Sequence, residues 1–171
     1  MADDISNLFA IAEIAGVFIG FAALVTAVAS RSDGEGRLED TFKLAAVVII
    51  NVMVITAALF PVVLNRYGLA SSAVWRISSG FLVAVNLLQI PYLRRTTLGY
   101  RAAFFQRRGL GLAVLSLSPF FHIPLLMCLF GIKQDLAPAF FLTAIVAAIF
   151  QSSVIFADLV ISMIAPTRRQ P

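Results

Sequence analysis

"LAAVVIINVMVITAALFPVVL", residues 44–64, carries no charged side chain, and only Asn51 and Thr56 bring polar side chains into it. A helix rises about 1.5 Å per residue, so roughly 20 such residues cross the hydrocarbon of a bilayer. Strands of a membrane barrel alternate apolar and polar residues, and this run does not. Four more runs share its character, at about Ile5–Ala29, Val74–Leu93, Gly109–Gly131 and Ala137–Ile164. The chain has 171 residues, 60% hydrophobic and 13% charged, whereas soluble domains carry about 25% charged residues. It therefore reads as an all-α polytopic integral membrane protein, a single domain over 1–171. Its expected helices are about 5–29, 44–64, 74–93, 109–131 and 137–164, with cytoplasmic loops at 30–43 and 94–108.

The first run is read as a retained helix. "AVAS" at 27–30 offers a small-x-small cleavage pattern, but "MADDISN" before the run is acidic. A secretory leader has a basic start and an apolar core of about 7–15 residues. The stretch "AEIAGVFIGFAALV" (12–25) resembles the openings of many small bacterial membrane proteins. That resemblance covers one helix and implies no particular activity; the chain as a whole reads as a five-helix bacterial inner-membrane bundle.

Basic residues set the expected orientation. Loop 30–43, loop 94–108 and the tail hold ten of the thirteen Lys and Arg, against three on the other side. Basic loops stay cytoplasmic, which places the N-terminus outside and the C-terminus inside. Tyr67 and Trp75 then fall at the outer interface, where aromatic residues anchor helices. Arg94, Arg95, Arg101, Arg107 and Arg108 surround Tyr100, Phe104 and Phe105. That mixture suits an interfacial segment on anionic lipid headgroups, at about 1 kcal/mol per basic residue. Loop 30–43 lacks the ligand spacing of a calcium loop and reads as a solvated turn.

Polar residues inside the runs supply the candidate sites. Counted from the outer helix ends at about 1.5 Å per residue, Glu13 and His122 both lie roughly 12–13 Å deep. Asn51, Asn86 and Gln151 lie about 18–21 Å deep, and Lys43 and Asp158 about 31 Å, near the inner boundary. Intramembrane ionisable residues are costly and mark functional sites. Glu13 and His122, matched in depth, are the expected ion or proton site, with a structural hydrogen bond between two helices as the alternative. The amides fit interhelical hydrogen-bond glue, and Lys43 with Asp158 fits a boundary ion pair or two side chains snorkelling to water.

Glu13 shares a helical face with Gly16 and Gly20, and Ala12 extends the small-residue pattern. This predicts that Ala12, Gly16 and Gly20 form a helix-packing face, within the chain or between chains, while Ile11, Phe18 and Ala22 meet lipid. His122 lies in "SLSPFFHIP" (116–124). Pro119 and Pro124 remove the helical bonds to the carbonyls of Leu115 and Phe120, which predicts a broken helix.

Enzyme chemistry is not expected. HExxH, CxxC, GxSxG and phosphate-loop motifs are absent, and one His and one Cys make no intrachain His/Cys metal site. Asp158 lies about 18 Å deeper than His122 and cannot orient it as a base. No cofactor, metal or nucleic acid is expected. Two functional classes fit. One is a small ion or proton channel or carrier with its site in the outer half. The other is a non-transporting accessory or sensor protein acting through helix contacts and the basic loop, as a homo-oligomer or with another membrane protein.

Overall fold

The computed structural model describes residues 2–29, 37–97 and 108–164. Five α-helices make up most of it: α1 (Ala2–Ala29), α2 (Arg37–Arg66), α3 (Ser71–Thr97), α4 (Arg108–Leu129) and α5 (Ala137–Ile164). A 3₁₀ turn at Gln134–Leu136 leads into α5. Each helix contains a stretch long and apolar enough to cross a membrane, which is consistent with a membrane protein.

Two helices outrun their apolar cores. α2 begins at Arg37 and α3 continues to Thr97, into the segments expected to be loops. Apolar runs mark where a helix needs lipid, not where its backbone bonds end. Leu38, Glu39 and Lys43 are good helix formers and carry α2 past that limit.

α2 and α5 form the central antiparallel pair. α1 lies along α2 and reaches α5 near Phe156, whose ring meets Phe18 edge-on at 6.0 Å. α3 packs on α2 through the stacked rings of Phe60 and Phe81, 4.3 Å apart. α4 takes the other flank of α5 and closes against α3. Leu8, Val54, Trp75, Leu125 and Phe141 bring one residue from every helix into the larger buried cluster. A smaller one joins Ala22, Val47 and Ile155 toward the opposite end. The outside is apolar as well, with Phe21, Leu88, Leu115 and Phe150 exposed, as suits helices surrounded by lipid.

Two sequence expectations change here. α4 is helical through both Pro119 and Pro124, so the chain is not broken at His122. Neither nearby serine serves a freed carbonyl: Ser116 Oγ donates to Ala113 O at 2.8 Å, and Ser118 Oγ lies 3.2 Å from His122 Nδ1. The remaining turns of α4 and its packing on α5 hold the helix through the gaps, as membrane helices tolerate. Trp75 is 1% exposed and packs its ring 5.6 Å from Phe141. It is a core residue and not an interfacial anchor, whereas Tyr67 is exposed.

The end of α4 is fixed by backbone geometry. Gly131 N–H donates to Cys128 O and Ile132 N–H to Met127 O, at 3.1 and 2.9 Å, the paired bonds of a glycine-capped helix end. Gly131 has φ 71°, and a Cβ there would overlap the guanidinium of Arg76. Gly131→Ala is expected to destabilise the bundle by about 1–2 kcal/mol, the left-handed penalty for a residue with a Cβ. A lower thermal midpoint in detergent measures it, and an unchanged midpoint contradicts it.

Candidate functional site

The polar residues lie in separate seams. Along α2 and α5, Lys43 Nζ sits 2.7 Å from Asp158 Oδ2, with Lys43 1% and Asp158 17% exposed. Toward the middle of the same seam, Asn51 Nδ2 donates to Val47 O at 2.8 Å and to Ser152 Oγ at 2.6 Å. Lys43, Asn51 and Ser152 are buried, while Asp158 keeps part of its side chain exposed. The seam is therefore polar at two levels and apolar between, with Val47 and Ile155 buried beside it.

Gln151 belongs elsewhere. Its Nε2 donates to the Val114 carbonyl of α4 at 3.1 Å and ties α5 to that helix. Asn86 belongs to a third seam. Its Oδ1 lies 3.3 Å from His122 Nε2, while His122 Nδ1 lies 2.8 Å from the Ser118 carbonyl. The three amides thus serve three helix pairs: α2–α5, α4–α5 and α3–α4. Ser152, the partner of Asn51, was not singled out by sequence. The only signal was a Ser-Ser pair inside an apolar run, and Ser78 and Ser79, both buried, give the same signal in α3.

Glu13 and His122 are not brought together. α1 and α4 occupy different flanks of α5, one beside Phe156 and the other beside Gln151. Both residues are exposed on the outside of the bundle. His122 bonds within its own helix and to α3, and Glu13 has no hydrogen bond or ion pair among the described residues.

The face of α1 is the reverse of the one expected. Leu8, Ala15 and Ala22 are buried against α2 and α5, with Ile11 and Phe18 partly buried beside them. Phe9, Glu13, Gly16, Gly20 and Leu24 face away. A Cβ added at Gly16 or Gly20 would meet nothing within 4 Å, so these glycines pack against no helix among the described residues. Ala12 alone of the three touches the core, from the edge of the buried face. The buried face combines one large residue, Leu8, with the small Ala15 and Ala22, and Phe18 meets Phe156 of α5 at its edge.

The arginines give less. Arg94 and Arg95 belong to the last turns of α3 and Arg108 opens α4, while Arg101 and Arg107 lie outside the described residues. Among the described residues no group of three or more His, Cys, Asp or Glu is arranged to hold a metal ion. Set against known protein families, curated proteins and solved structures, the chain finds no match, so its seams and its outward faces are what speak to its role.

Proposed function

We propose that this protein works through side-to-side helix contacts in the membrane, as an accessory or sensor protein whose contact helix is α1. One observation carries the reading. Glu13 stands on the outward face of α1 with no partner among the described residues, beside glycines with open space above them. A carboxylate facing lipid is costly, and intramembrane ionisable groups face protein or a watery cavity. Glycines at i and i+4 allow another helix to approach closely and cover it. The interior of the bundle supports the same reading, because Lys43 with Asp158, Asn51 with Ser152, and Gln151 with the Val114 carbonyl are joined across helix seams. The arginines at the ends of α3 and α4 complete it, as contacts for anionic headgroups on the cytoplasmic side.

The test is Gly16→Leu and Gly20→Leu, introduced separately in membranes and followed by cross-linking and native gels. Both are expected to remove the higher-mass species that contain this chain. Species that persist unchanged in both variants overturn the reading.

A second reading, an ion or proton channel or carrier, draws on one observation: the carboxyl and imidazole groups both sit on outward faces, which an assembly of copies would bring to a subunit boundary. Purified protein in liposomes is the measurement. Flux that Glu13→Gln or His122→Ala abolishes while assembly persists selects this class over the first, and impermeable liposomes exclude it.

A further inference from the structure

We infer that the partner of Glu13 is His122 of a second copy of this chain, in a head-to-tail contact between α1 of one copy and α4 of the next. The inference rests on the reading of α1 as the contact helix and names what the helix meets.

Complementary chemistry comes first. Both ring nitrogens of His122 face acceptor oxygens, the Ser118 carbonyl at 2.8 Å and Asn86 Oδ1 at 3.3 Å. An imidazole on an apolar exterior calls for a further polar neighbour, and Glu13 is a carboxyl group exposed on the same kind of surface without a partner among the described residues. Within one chain the two groups stand on helices that flank α5 on different sides, so only another copy can join them. A symmetric α1–α1 contact does the opposite, setting two carboxylates against each other and leaving His122 uncovered.

Register comes second. Successive packed helices run antiparallel, so α1 and α4 point in opposite directions and two copies in one membrane keep that relation. Glu13 placed opposite His122 then sets Gly16 opposite Pro119 and Gly20 opposite Leu115, because each step along α1 is matched by a step back along α4. All six residues are exposed. Leu115 projects from α4, and the open space over Gly20 receives it. Pro119 has no backbone N–H to leave unsatisfied at a close approach, and Gly16 has no side chain to obstruct one. Polarity, bulk and backbone thus agree on one register. A contact that joins different faces of identical subunits closes into a ring or continues as a chain.

Cysteine cross-linking tests it, in a Cys128→Ala background, with copper phenanthroline on membranes. The pair Glu13→Cys with His122→Cys in one chain is expected to give a ladder of dimers, trimers and higher species. The pair Gly20→Cys with Leu115→Cys is expected to give the same ladder while leaving the carboxylate and imidazole intact. Glu13→Cys alone is expected to remain monomeric. Dimers from that single variant mean a symmetric α1 contact and overturn the inference. So does the lack of a ladder from both pairs. If both pairs fail while Gly16→Leu still abolishes association, α1 meets a different protein: the inference falls and the contact-helix reading stands. If Gly16→Leu and Gly20→Leu associate as wild type does, both fall.

Discussion

Lys43→Ala is expected to cost the folded bundle about 3 kcal/mol, the lower end of the range for removing one partner of a buried ion pair. The lysine is 1% exposed and its ammonium lies 2.7 Å from the Asp158 carboxylate. Its loss strands a charge between α2 and α5. The lower figure applies because Asp158 is 17% exposed and part of its hydration survives. Replacing both partners with apolar residues, Lys43→Met with Asp158→Leu, removes the charge as well as its partner and is expected to recover most of the loss. The chain provides its own reporter. Cys128 is the single cysteine and is buried, so a thiol-reactive fluorophore labels it as the bundle opens on heating. A Lys43→Ala midpoint equal to wild type would mean that the pair adds nothing to the fold.

Trp75→Ala is the second large effect, at about 3 kcal/mol, again the low end of what Trp→Ala costs in a core. Trp75 is among the largest fully buried side chains and rests against Phe141 of α5, on the far side of the α3 contact. In water-soluble proteins part of such a loss is the transfer of the ring out of water. Lipid solvates an exposed ring well, so here the loss is chiefly cavity and dispersion contact. Trp75→Phe is expected to lose much less. It keeps a ring against Phe141 and deletes an indole N–H that is buried without an acceptor. The same fluorophore reads both variants, and equal midpoints for Ala and Phe would show that the ring does not pack as described.

How far the sequence could be read follows from where each signal resides. Runs such as Leu44–Leu64 are local, and they located all five helices. Ends were harder, because Arg37–Phe42 is polar in character yet helical. Orientation of a helix about its axis was hardest. α1 is apolar nearly all round, and the expectation that Ile11, Phe18 and Ala22 meet lipid failed, because Ala22 is buried and the other two partly so. The orientation depends on partners that include residues far along the chain, as where Phe18 meets Phe156 of α5. The surroundings of the histidine were hidden for the same reason. Its depth was computable, but its neighbours, Asn86 on α3 and its own Ser118, depend on which helices adjoin. Pro119 and Pro124 were read by the rule for helices in isolation, and packing on α5 overrides it.

The central pairing of α2 with α5 also sets a schedule. Asn51 and Ser152 are 101 residues apart in the chain, and Lys43 and Asp158 are separated still further. At about 5–20 residues per second, a ribosome needs roughly 5–20 s to make the second helix after the first. For that interval α2 carries an ammonium and an amide whose partners have not yet been synthesised, with only α1 and later α3 and α4 as cover. Variants of Asp158 or Ser152 therefore lengthen the exposure of α2 to degradation as well as weakening the finished bundle. For them, the amount of protein a cell accumulates and the melting point of what survives are separate quantities, and the first is expected to fall further.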